Sequence, residues 1–243
     1  MITVKKQKLK GLIIRQENYK EDSSKITLLT ENGLYNFIIK GTHKIESKLR
    51  ALSQVLTEVE LVATADKVLN TITEGVVVEN YTVIKEDTNK LLVALSILED
   101  FYNFKESIID VKTTYLFLKD ILKVLCNTKY FISVMLIFEL KFLYAIGSHP
   151  EFCNCVKCNN TKGIYFSVKN GGNVCKNCYE HNCCNLELSK LLELMFYIKI
   201  SSLNDDFLKI VFEYHKDLNV IINEYYETYF DYRNKNKKIL EKI

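Results

Sequence analysis

A chain of 243 residues, 48% hydrophobic and 26% charged, has core enough for one large or two small globular domains. The best membrane candidate, Phe131 to Ile146, is broken by Glu139 and Lys141, and Leu12-Ile13-Ile14 is too short for a signal-peptide core. A soluble protein of the cytoplasm is therefore expected, with its cysteines reduced and no membrane partner. The net charge of +3 hides a skew: residues 1–50 carry eleven Lys and Arg against five Asp and Glu, while the rest carry 22 against 25. All the positive excess sits at the N-terminal end, which points to a polyanionic partner there.

From Leu9 to about Tyr81 the sequence reads as short strands rich in Val, Ile, Leu and Thr. Lys10–Arg15 and Lys25–Thr30 are the first two. Glu31-Asn32-Gly33 makes a turn suited to positive φ angles, and Leu34–Lys40 returns to a stop at Gly41. Val55–Ala63 and Thr71–Val78 bring the number to five, which suits a small closed barrel of the OB type.

After Asp87-Thr88-Asn89, a helix cap, the period changes from two to 3.6. Leu91, Leu95, Leu98 and Tyr102 share one helical face. So do Tyr115, Leu118, Leu122 and Leu125, and then Phe131, Met135, Phe138 and Phe142. Gly147 with Pro150 is a helix stop. Leu188, Leu191, Met195 and Ile198 mark a further helix. Leu218, Ile221, Tyr225 and Tyr229 mark the last, which runs into a solvated Lys-rich end. The expected fold is α+β: a five-stranded OB barrel over 1–82, then an all-α domain over 83–243 that carries an inserted cysteine-rich hairpin at about 150–185.

That hairpin holds the strongest motif. Seven of the eight cysteines lie between Cys153 and Cys184, and Cys155-x-x-Cys158 is separated by sixteen residues from Cys175-x-x-Cys178. Each pair turns two sulfurs inward, and two pairs complete a soft tetrahedral shell with no open position, so one structural Zn2+ is expected. An iron–sulfur cluster also accepts four thiolates. Cys153, His181, Cys183 and Cys184 stand close by, so the identity of the four ligands stays open at this point. A redox dithiol would need a βαβ pattern, which is absent here.

No group of reactive residues has a catalytic spacing. There is no phosphate loop or Gly-x-Gly-x-x-Gly; His149-Pro150-Glu151 mimics the His-x-Glu of a zinc deaminase but lies too close to Cys155 to wrap the metal separately, and none of His43, His181 and His215 begins one, so an enzyme is not expected. The best non-metal constellation runs from Lys40 to Arg50. Its Lys40, Lys44, Lys48 and Arg50 can neutralise phosphates, on a loop where OB barrels meet single strands. Tyr19, in a polar loop beside Lys20, is a candidate for stacking on bases. Tyr35 shares a face with Phe37 and is either a stacking residue or barrel core; Phe37 reads as core.

Gly11-Leu-Ile-Ile-Arg15, Tyr19-Lys-Glu-Asp22, Lys25-Ile-Thr-Leu-Leu-Thr30 and the run Lys40-Gly-Thr-His-Lys44 to Ser47-Lys-Leu-Arg50 resemble the RecO family of DNA-repair and recombination-mediator proteins. So do Gly147, Pro150, Cys155, Cys158, Gly171, Gly172, Cys175 and Cys178, in that order. The sequence departs from the family in its extra cysteines and in Asn159, where Gly is usual. The resemblance implies a nucleoid-associated, non-enzymatic protein that binds single- and double-stranded DNA and anneals complementary strands without ATP. It implies work with RecR, and with RecF in some systems, to load RecA on DNA coated by single-strand-binding protein, whose C-terminal tail is a further partner. Arg15, Tyr19, Tyr35, Lys40, His43, Lys44, Lys48 and Arg50 are the implied DNA contacts. The alternative is a zinc-ribbon and OB factor that acts on RNA or in transcription.

Overall fold

The computed structural model describes residues 6–42, 47, 49–64, 71–159 and 162–240. Strand β1 (Lys6–Tyr19) is the longest, and it serves two neighbours. Its first half pairs antiparallel with β4 (Thr57–Thr64), from Lys6↔Thr64 to Ile13↔Thr57. Its second half pairs with β2 (Ser23–Thr30), from Leu12↔Leu29 to Tyr19↔Ser23, across a register shift between Ile13 and Arg15. The sequence predicts only Lys10–Arg15 of this strand, because its two ends are polar. Hydrogen bonds to neighbouring strands, not side-chain pattern, extend it.

Strand β3 (Gly33–Lys40) returns along β2, and β5 (Thr71–Glu79) follows β4. A single parallel pairing, Ile38↔Thr71, closes the barrel in the order β1-β2-β3-β5-β4. Thr30 pairs with Gly33, so the tight connection consists of Glu31 and Asn32 alone. Gly33 itself takes a φ of +140°, which glycine adopts freely and a residue with a Cβ does not. Inside the barrel Leu9, Ile13, Ile26, Phe37, Val59 and Ile72 pack together, and Leu52 enters from the turn Ala51–Ser53. Each such side chain contributes about 1.5–3 kcal/mol of burial.

The chain divides into two compact units. The barrel unit also includes α1 (Thr82–Lys85) and residues 110–118, the latter mostly the start of α3 (Val111–Asn127). There the Tyr115 hydroxyl donates to Glu58, which is 4% exposed, at 3.1 Å.

The second unit holds α2 (Thr88–Asn103), the rest of α3, α4 (Phe131–Ala145), α5 (Leu186–Tyr197), α6 (Asp205–Glu213), α7 (His215–Phe230) and the short α8 (Lys237–Leu240). Helix α4 is its axis, with Val134 through Leu140 buried without a break. It ends at Gly147, φ +70°, where Ser148 N–H closes back on the Leu143 carbonyl at 2.9 Å. No helix among the described residues is long and apolar enough to cross a membrane.

Two expectations change here. In α2 the buried stripe is Val93, Ala94, Ile97, Leu98 and Phe101, whereas Leu91, Leu95 and Tyr102 are half-buried. The helix is turned because two polar residues, Ser96 and Asp100, belong to its buried face: Asn234 Nδ2 donates to the Ser96 carbonyl at 2.8 Å and to Asp100 Oδ1 at 2.7 Å. The Lys-rich end is also not wholly solvated. Lys237 is 2% exposed, and its ammonium donates to Glu139 Oε2 at 2.6 Å.

Candidate metal centre and nucleic-acid surface

The metal candidate forms where two short strands, β6 (Tyr165–Ser167) and β7 (Gly172–Val174), pair as a hairpin. Cys155 and Cys158 sit in the turn before it, and Cys175 and Cys178 bracket the turn Lys176–Cys178 after it. Gly172 lies so close to the Cys153 side of the module that an added Cβ would stand 2.3 Å from the Glu151 carbonyl oxygen. That approach lets Asn173 N–H bond the same oxygen at 2.7 Å. The module is sewn to α5 by Phe166 N–H donating to Ser189 Oγ, and to α7 by Tyr229 donating to the Val168 carbonyl.

Cys155, Cys158, Cys175 and Cys178 place their sulfurs within 4.8 Å of one another, with Cys158 and Cys175 3.8 Å apart. A tetrahedral ion with metal–sulfur bonds of about 2.3 Å separates its ligand sulfurs by about 3.8 Å, so the cage fits such an ion. As thiols, Cys155 and Cys178 are unequal. Burial pushes the Cys155 thiol up, but backbone N–H groups of Cys158, Cys175 and Lys157 outweigh it and bring it down to about 6. Cys178 is pushed up to about 12, first by its hydrogen bond with Cys175 and then by burial. Metal ions bind the thiolate form, so an ion in this cage would strip the thiol protons.

The other nearby cysteines are placed differently. Cys153 Sγ lies 3.4 Å from the Tyr197 hydroxyl, and Cys183 Sγ accepts the Glu180 N–H at 3.4 Å while packing against Cys155 and Cys175. Cys184 is half-buried, which raises its thiol to about 11. His181 is exposed. Among the described residues only the two Cys-x-x-Cys pairs form a group that could hold a metal ion.

On the barrel, Lys40 and Arg50 are exposed at either side of the basic loop, while His43, Lys44 and Lys48 lie outside the described residues. The loop leaves and rejoins the barrel at buried hydroxyls that sequence reasoning missed. Ser24 Oγ and Thr42 Oγ1 are 2.8 Å apart, Gln16 donates to Ser24 Oγ at 3.1 Å, and Ser53 Oγ donates to the Arg50 carbonyl at 2.9 Å. Four scattered polar residues carry no local pattern, so only the folded barrel reveals them.

Arg15 is half-exposed and donates to Glu17, which Lys25 approaches at 3.9 Å. Tyr19 is half-buried, with the Lys20 ammonium 5.4 Å from its ring centre. Tyr35 is partly buried against the barrel core and stacks on Phe37 with ring centres 6.2 Å apart; Phe37, 2% exposed, is core as expected.

Comparison with known proteins covers nearly the whole chain. The family model described as Recombination protein O N terminal matches residues 1–81, and Recombination protein O C terminal matches 86–238. Similar proteins include the DNA repair protein RecO of Caldicellulosiruptor saccharolyticus, 31% identical over 96% of both chains. Those of Bacillus pumilus and Bacillus subtilis are 28% and 27% identical, each over 97% of this chain and 94% of its relative.

Proposed function

The chain belongs to the RecO family of DNA repair proteins, and from that premise we propose that it is a non-enzymatic mediator that binds DNA and anneals complementary strands. The observation that carries this reading is the closed five-stranded barrel, on which Lys40 and Arg50 are exposed and the flanking Thr42 and Ser53 hydroxyls are buried and hydrogen-bonded. A barrel that presents cationic side chains holds a single strand through its phosphates. Two strands so screened pair without nucleotide hydrolysis. Arg15, Tyr19, Tyr35, His43, Lys44 and Lys48 complete the proposed contact set.

The ion is proposed to be zinc, held by Cys155, Cys158, Cys175 and Cys178 as a structural centre. Four thiolates fill a tetrahedral zinc shell, so no position remains for substrate. The proposed partners are RecR, the C-terminal tail of single-strand-binding protein, and RecA with or without RecF, on the nucleoid in the cytoplasm.

Annealing of complementary oligonucleotides coated with single-strand-binding protein tests the reading. The chain should accelerate it equally with and without ATP. No acceleration, or strict dependence on ATP in preparations free of other ATPases, overturns it.

A further inference from the structure

The metal hairpin carries an aromatic residue that its fold does not explain. Tyr165, at the start of β6, is half-buried against the cysteine cluster and serves as a wall of the centre. Tyr179 packs edge-on against it, ring centres 4.8 Å apart and planes at 67°, yet remains 43% exposed. The next residue, Glu180, draws in two cations from different parts of the module: Lys157, and Lys169 at 3.8 Å. Lys176, exposed, leaves the turn that ends one residue before Tyr179. Lysines here would in any case offset the formal negative charge of a tetrathiolate zinc centre. That role gives no reason for an exposed ring among them.

A flat face beside ammonium groups is what a single nucleic-acid strand recognises, the base taking the ring and the flanking phosphates the cations. Resting on the DNA-binding reading above, we propose that this hairpin is a second single-strand contact. Tyr179, backed by Tyr165, stacks on a base, and Lys169 and Lys176 hold the adjacent phosphates. Every base has a π-face, so this contact has little sequence preference.

The chain contains no Trp, so Tyr179→Trp places a single Trp at the site, which can be excited selectively over the tyrosines. Its emission should be quenched on titration with oligo(dT). Tyr179→Ala should bind oligo(dT) about five- to hundredfold more weakly, whereas Tyr179→Phe keeps the ring and the affinity. Lys169→Gln with Lys176→Gln should flatten the log-affinity against log-salt slope by about 1.4. If the chain binds oligo(dT) while the Trp emission and the Ala variant's affinity are unchanged, this contact is wrong and the DNA reading stands. If wild type and variants alike fail to bind oligo(dT), the DNA reading itself falls. Loss of metal from Tyr179→Ala makes the ring a structural cover and overturns the proposal, as does equal quenching by polyglutamate.

Discussion

Lys237 has exposed lysines on either side, Lys235 and Lys238, yet its own side chain is buried among Glu139, Asp100 and Asn234. A buried ion pair adds little over an apolar pair of the same shape, but breaking one side leaves an uncompensated charge. Lys237→Met should therefore cost about 3–5 kcal/mol, read as a lower denaturant midpoint at an unchanged m-value. Asp100 behaves oppositely. Burial first, and then the Glu139 charge, raise its carboxyl well above the ordinary value, despite hydrogen bonds from Asn234 and Tyr232. The folded protein thus holds this proton more tightly than the unfolded chain. Its contribution is present at low pH and is lost as pH rises above the ordinary carboxylate value of about 3.9. Asp100→Asn keeps an acceptor for Asn234 and Tyr232 without that loss. Its stability relative to wild type should improve as pH is raised above about 4. A difference that stays flat across that range counts against the assignment.

At the scale of elements, the metal hairpin is short on internal bonds and long on external ones. Strands β6 and β7 pair over only three residues each, so the sulfur cage and the parallel bridge between Glu151 and Gly172 must hold the module. Gly172→Ala would drive a methyl into the Glu151 backbone and should cost about 1–3 kcal/mol by overpacking. Competition with a chelator should show faster zinc loss from that variant. Cys155→Ser should lose zinc altogether in metal analysis, since it removes one of the four sulfurs of the cage. Iron and sulfide in the wild-type protein would reject the zinc assignment outright.

At the scale of the molecule, the charge skew sets the expected nucleic-acid response. Eleven basic residues against five acidic ones in the first fifty include Lys44, Lys48 and Arg50, each able to displace counterions from a strand. Changing those three to Ala should flatten the salt slope for single-stranded DNA by about 2, with stability altered by less than about 0.5 kcal/mol per site. Annealing should fall with binding, and zinc content should stay constant. Unchanged affinity and slope would move the main contact off this loop.

The sequence alone determined the five strands, the change to helical period after Asp87, the stop at Gly147 and the two Cys-x-x-Cys knuckles. Each is written in neighbouring residues: alternation, a 3.6 period, a residue tolerant of positive φ, or a fixed spacing that a turn converts into geometry. Tertiary structure decided which face of α2 is buried, how far β1 extends, where Lys237 goes and what the buried Thr42 hydroxyl meets. Those features join residues far apart in the chain, such as Ser96 with Asn234, Glu139 with Lys237, and Ser24 with Thr42. A buried polar group is stable only once its distant partner has arrived, so no local window can distinguish it from a solvated one.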